Sequence, residues 1–356
     1  MGKSRKAKAT GKAAAAAAAA AVAGAAAAGG KLVHARRAQA NAEEERDRRY
    51  RLRTDEQIPD SVRRIARGRL DNACDRLDAA GERELDAAVH DTRKDLKRLR
   101  ACLRLARDAV GEHTYERENT TFRMAGRRLS GARDAQVLVE ALDALQERFA
   151  DELARESTSA LRALLSEQHA TAVAQLRADG TTIAATRADL EAARTRVAAW
   201  TLSDAGFDAL RPGLRRIYAR GRKRIRAAAE EPTDERLHEA RKRVKDLWYA
   251  TQIVRPAAPK ELKRMSGRAH DVAGLLGDDH DLAVLRERIL AHPQCFADDA
   301  AMRALLAVID RRRAALQRRA LKRGARLYER SPKRFAADVD RRWRKRAGGR
   351  PGAIAG

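Results

Sequence analysis

His90, Arg93, Lys94 and Lys97 are the residues of this chain best placed to do chemistry. The same four types return 148 residues later as His238, Arg241, Lys242 and Lys245. Both copies follow the pattern His-acidic-x-Arg-Lys-x-apolar-Lys-x-Leu, ending at Leu99 and Leu247. At a helical period, His90, Lys94 and Lys97 share one face. Arg93, Arg100 and Arg104 widen that face, and Arg98 adds a further charge beside it. Val89, Leu96, Leu99 and Leu103 form a separate apolar stripe, echoed by Leu237, Val244 and Leu247. Cations one turn apart repel one another. A face that repeats them must either stay hydrated or meet an anion, and its duplication favours the anion.

If the two motif helices face each other, their cations line a positive cleft or channel. Arg67, Arg123, Arg127, Arg216, Arg220, Lys263 and Arg264 would then continue it. Arginine suits such a site, because its planar fork bonds phosphate oxygens in pairs. Asp91 and Glu239 would orient the basic side chains. The histidines, held in a positive field, would stay neutral and donate a hydrogen bond. Asp134 and Asp281 follow the two histidines at nearly equal distances and read as helix caps, with a salt bridge to a site arginine as the alternative. His280 beside Asp281 has the makings of an acid–base pair, but its aligned residue is Arg133, so catalysis is weakly supported.

Composition sets the frame for these residues. The chain has 356 residues, 76 Lys and Arg against 50 Asp and Glu, and a formal charge of +26. That surplus points to a polyanionic partner such as nucleic acid, polyphosphate or an anionic surface. With 4% aromatic residues and 8 prolines, helix formers dominate and the residues a sheet needs are scarce. Few aromatics also disfavour single-strand base stacking. The sequence has no Walker loop, dinucleotide-binding glycine pattern, zinc-finger spacing or zinc-protease motif. No metal and no cofactor is expected. Cys74, Cys102 and Cys295 are scattered and read as free thiols in a reducing, cytoplasmic setting.

Along the chain, residues 1–49 read as a basic, alanine-rich disordered tail with a charged linker. Its alanine run lacks Leu, Ile and Phe and is too weakly apolar for a membrane span. Residues 50–200 form a first helical bundle, 201–346 a second, and 347–356 a disordered end. Ser61 is expected to cap the first helix, and the motif helix runs from Leu85 to Ala109. Glu112 to Thr114 form a loop, and Gly131 closes the third helix. Gly180 to Thr182 break the region 146–200. Ser203 and Asp204 cap the start of the second half, and the chain bends at Pro212 and Gly213. Late helices are expected at 297–326 and 333–345. The string Arg63 to Arg69 resembles Arg215 to Arg222, and the segment at Asp134 to Leu138 resembles Asp281 to Leu285. Three repeated elements in one order imply duplication. The expected fold is all-α, two pseudo-symmetric antiparallel helical bundles around a central basic cavity.

In these residues the chain resembles the CHAD domain family, the conserved histidine α-helical domain. The resemblance covers roughly residues 50–345 and rests on the two His-Arg-Lys-Lys motifs, on Arg98 and Arg100, and on the segments at Asp134 and Asp281. It implies paired bundles around a basic cavity and binding of inorganic polyphosphate, with the repeated His, Arg and Lys contacting phosphate. It also implies an association with polyphosphate or polyester storage granules in some members. The chain departs from it where Trp248 and Tyr249 stand in place of an arginine matching Arg100. No companion CYTH domain with alternating glutamates is present, which removes support for a triphosphatase. The expected function is non-enzymatic polyphosphate binding. The alternative is a basic nucleoid or RNA-binding protein, in which the tail and scattered surface cations dominate.

Overall fold

The computed structural model describes residues 48–79, 84–153 and 155–348. The alanine-rich tail and the last residues of the C-terminus lie outside the described residues. A compact unit begins at Tyr50. Among the described residues it contains eleven α-helices and no strand, as the helix-forming composition requires.

The helices are α1 (Ile58–Ala79), α2 (Leu85–Val110), α3 (Glu112–Arg128), α4 (Gly131–Arg148), α5 (Ser159–Ala178) and α6 (Gly180–Ala198), then α7 (Arg211–Glu230), α8 (Asp234–Ile253), α9 (Pro259–Ala291), α10 (Asp299–Leu327) and α11 (Pro332–Ala347). In the first half α1 packs on α2 and α6, α2 on α3, and α4 on α5. In the second, α7 packs on α8 and α11, α8 on α9, and α9 on α10. The single helix α9 thus spans what α3 and α4 divide at Leu129 and Ser130.

Several local expectations are corrected. Ser61 lies inside α1, where its hydroxyl accepts the Arg53 N–H and donates to Glu56. Glu112 opens α3 rather than forming a loop, because Gly111 makes the corner alone at φ 81°. Gly131 begins α4 instead of ending α3. The break after α5 falls at Asp179, whose carboxylate accepts the Thr182 N–H and caps α6. Ser203 and Asp204 precede a short 3₁₀ turn, Phe207–Ala209, and cap no α-helix. Pro212 and Gly213 sit in the first turn of α7 without bending it away. Gly213 is needed there because a Cβ would fall 1.9 Å from the Leu105 carbonyl oxygen. At that point α7 crosses α2 backbone to backbone.

Two buried apolar clusters hold the unit, and each draws on both halves of the sequence. The larger joins Ile65 and Leu70 of α1, Leu96 and Leu99 of α2, Leu214 and Ile217 of α7, and Val244 and Leu247 of α8. The smaller joins Leu138 and Leu142 of α4, Leu161 of α5, Leu285 and Ile289 of α9, and Ile309 of α10. The motif stripe Val89, Leu96, Leu99 and Leu103 is fully or almost fully buried, which fixes the rotation of α2 and turns its basic face outward from that core. Cys74 and Cys102 are buried free thiols, and burial pushes them up to about 11 and about 12. No helix among the described residues is long and apolar enough to cross a membrane.

Candidate polyanion site

A cavity of about 780 Å³ opens where the two clusters meet. α2 and α8, anchored in the larger cluster, supply most of its cations. α4 and the second half of α9, anchored in the smaller, supply the opposite wall through Asp134, Val137, Leu138, His280, Asp281 and Val284. The motif helices do face one another: Arg104 of α2 donates to Asp246 of α8 at 2.9 Å.

Nine of the residues singled out by sequence converge on this space. They are His90, Arg93, Lys97, Arg100 and Arg104 from α2, and His238, Arg241, Lys242 and Lys245 from α8. Arg243 joins them, making eight Lys and Arg side chains against the three carboxylates of Asp134, Asp246 and Asp281. That imbalance leaves marks. Burial pushes Lys245 down to about 7, with Arg241 and Lys97 adding repulsion. Burial, reinforced by Arg104, pushes Arg100 down to about 10. His238 is pushed down to about 4, by burial first and then by His280, Lys242 and Arg241. Burial first, and then the crowding of like charges, favours the neutral forms of His238 and Lys245.

Asp134 and Asp281 are bridge partners, and the cap reading is corrected. Arg93 donates to Asp134 at 3.1 Å and to the Ser130 carbonyl at 3.1 Å. Arg241 lies 3.7 Å from Asp281, which sits in the interior of α9 and has no helix end to cap. These bridges tie each motif helix to the opposite wall and hold the guanidiniums at the cavity edge. His280 does not pair with Asp281; its ring lies against His238, with centroids 4.4 Å apart. Burial lowers the His280 pKa as well. Two neutral imidazoles offer hydrogen bonds to an anion without adding charge.

The other nine named residues lie outside the cavity. Lys94 pairs with Asp91 at 3.0 Å on the exposed side of α2. Arg98 turns inward to the buried Asp95 at 3.1 Å and stands over the Tyr50 ring. Arg67 is exposed and 4.0 Å from Asp71. Arg123 and Arg127 are exposed on α3, and Lys263 and Arg264 are exposed on α9. Arg216 and Arg220 line a small adjoining hollow that shares Arg104, Arg243 and Asp246 with the cavity. Arg216 is held there by Asp108 at 2.8 Å.

Sequence reasoning missed Arg243, Asp246 and Tyr249 as lining residues. They fall at positions where the two copies differ, so a search for shared residues passes over them. The signal that could have found them is the exchange itself: Asp95 and Arg98 in the first copy align with Arg243 and Asp246 in the second. Each pair closes as an i,i+3 ion bridge, at 3.1 Å and 2.8 Å. Trp248, which replaces the arginine of the first copy, stacks on Tyr249 and on His270.

Among the described residues no group of three or more His, Cys, Asp or Glu side chains is arranged to hold a metal ion. None of the curated proteins compared with this chain matches it. The sequence model of the CHAD domain matches residues 64–290, from the first turns of α1 to the end of α9. That span exceeds half the chain and includes every residue lining the cavity, and the protein belongs to the CHAD domain family.

Proposed function

We propose that this protein binds inorganic polyphosphate in the cavity between α2, α4, α8 and α9, as a binding module without catalytic turnover. One observation carries the reading: eight Lys and Arg side chains converge on one open cavity, with three carboxylates to offset them. A linear chain of phosphates supplies closely spaced charge of the opposite sign, and each well-formed contact contributes on the order of 1.5–3 kcal/mol. The depressed Lys245 would regain its proton against such a ligand. Duplex DNA is a poorer fit, being far wider than a single phosphate chain. Membership of a family that binds polyphosphate supports the same choice. A cytoplasmic site of action, including the surface of polyphosphate or storage granules, follows from this ligand.

A second reading has its own observation. On α7, Arg215, Lys223, Arg224 and Arg226 are exposed and form no ion pair among the described residues; Arg318, Arg319, Lys322 and Arg323 do likewise on α10. These outer cations would attract nucleic acid without sequence preference.

Calorimetry with long-chain polyphosphate and charge-matched duplex DNA separates the two. Polyphosphate should bind more tightly, and Lys245→Glu should weaken it by about tenfold or more while leaving DNA affinity unchanged. Equal affinity for both polymers, or no loss in Lys245→Glu, would overturn the cavity reading.

A further inference from the structure

A second recess, of about 240 Å³, lies between α4, α9 and α10. It shares Val137 and Asp281 with the basic cavity, so the two spaces are contiguous. Its chemistry differs from the cavity's. Ala141, Leu145 and Leu282 give it an aliphatic floor, and it contains no lysine. Its charged groups are mixed: Glu140, Asp278 and Asp281 on the acidic side, Arg148 and Arg312 on the basic. An inorganic phosphate chain gains little here, because three carboxylates outnumber the two arginines. It would meet carboxylates that repel it and methyl groups that cannot bond it.

Asp278 and Arg312 say what would fit. They sense each other's charge, yet form no ion pair with each other, and neither makes a side-chain hydrogen bond among the described residues. Asp278 is exposed and Arg312 half-buried, so both line the recess with polar groups open to a ligand. A flat group with a donor and an acceptor on one edge would satisfy both at once, while its faces rest on the aliphatic floor. A nucleobase is such a group, and when it carries a phosphate chain it adds the anion that the neighbouring cavity lacks.

We propose that the recess receives the base of a nucleoside polyphosphate whose phosphates enter the basic cavity. An amino group on the base donates to Asp278, a ring nitrogen or carbonyl accepts from Arg312, and Leu145 and Leu282 cover one face. The inference rests on the phosphate-binding reading of the cavity, and it adds a ligand class with a chemically distinct end.

The test is calorimetry on the full chain with ATP, GTP, inorganic tripolyphosphate and long-chain polyphosphate. Tripolyphosphate carries at least the charge of a nucleoside triphosphate, so electrostatics alone would make it the tighter ligand. The inference expects the reverse, with one nucleoside triphosphate tighter by about tenfold. Ala144→Trp, at an exposed position that fills the recess, should bring nucleotide down to the tripolyphosphate level and leave long polyphosphate unchanged. Asp278→Ala should do the same without added bulk, and thermal melts check that both variants fold. Nucleotide no tighter than tripolyphosphate, or a variant that weakens all ligands alike, would overturn the inference. Failure of long polyphosphate to bind would overturn the cavity reading instead, and the nucleotide-to-tripolyphosphate ratio reads out separately from it.

Discussion

The motif helices α2 and α8 carry the same ion pair in opposite senses. On α2 the acid comes first: Asp95 is 0% exposed and gathers Arg69, Arg76 and Arg98 behind the cavity. On α8 the base comes first, and Asp246 at 7% exposure stands at the cavity wall between Arg104 and Arg243. Reversing the order leaves the net charge of the helix unchanged but moves the carboxylate from the core side to the site side. The first copy therefore spends Arg98 on structure, whereas the second brings Arg243 to the cavity. Lys94 and Lys242 differ in the same way. Both pair with an acid one turn back, Asp91 or Glu239, but only Lys242 also lines the cavity.

Removing the two aspartates should break this comparison most visibly. Asp95→Ala strands the buried Arg69, takes the shared carboxylate from Arg76 and Arg98, and should cost about 3–5 kcal/mol in urea unfolding. Asp246→Ala leaves Arg104 and Arg243 beside an open cavity and should cost about 1–3 kcal/mol. The binding effects should run the other way: Asp246→Ala frees two guanidiniums and tightens polyphosphate, while folded Asp95→Ala binds as the wild type does. Equal stability losses would show that the two carboxylates are equivalent after all.

The lysines sharpen the same contrast at a smaller scale. Lys242→Ala should lose about 1.5–3 kcal/mol of polyphosphate affinity, one charge-assisted contact. Lys94→Ala, on the exposed side of α2, should change it by less than about 0.5 kcal/mol, as for other surface charges. A larger loss at Lys94 would place ligand outside the cavity.

Proton linkage gives the next effect. Lys245 has its pKa lowered from 10.5 to about 7 in the folded protein. Between those values the unfolded chain binds the extra proton, so this residue makes stability rise with pH across that window. A bound polyanion reverses the preference by favouring the charged form. Polyphosphate affinity should therefore fall as pH climbs through about 7, and calorimetry in buffers of different ionisation enthalpy should detect proton uptake that Lys245→Gln removes. The smallest effect belongs to His238, lowered from 6.5 to about 4. The stability it contributes as a neutral imidazole is complete above pH 6.5 and is lost as pH falls through about 4. Unfolding curves of His238→Gln should be flatter there than those of the wild type.

Much of the site was legible because helix geometry is local. The i, i+3 and i+4 spacing of His90, Arg93 and Lys97 fixes one face of α2 relative to Leu96 and Leu99, and the same holds on α8 for Lys245 against Val244 and Leu247. The three-part duplication also located Asp134 and Asp281, yet their role was misjudged. A cap depends on where a helix starts, and Asp281 falls within one unbroken helix that the first half divides into two. Arg98 and Lys94 were legible as cations but not as to destination: Arg98 turns to the buried Asp95 and Lys94 to solvent, both away from the cavity.

Sequence alone determined the all-α class and the duplicated basic face, because composition and period act within a single helix and need no knowledge of its neighbours. Tertiary packing decided which cations reach one space. The crossing of α7 over α2 at Gly213, the approach of Arg104 to Asp246 and the placing of His280 against His238 join residues far apart in the chain. Their distances are set by how two apolar clusters close around the cavity, and no local spacing encodes that.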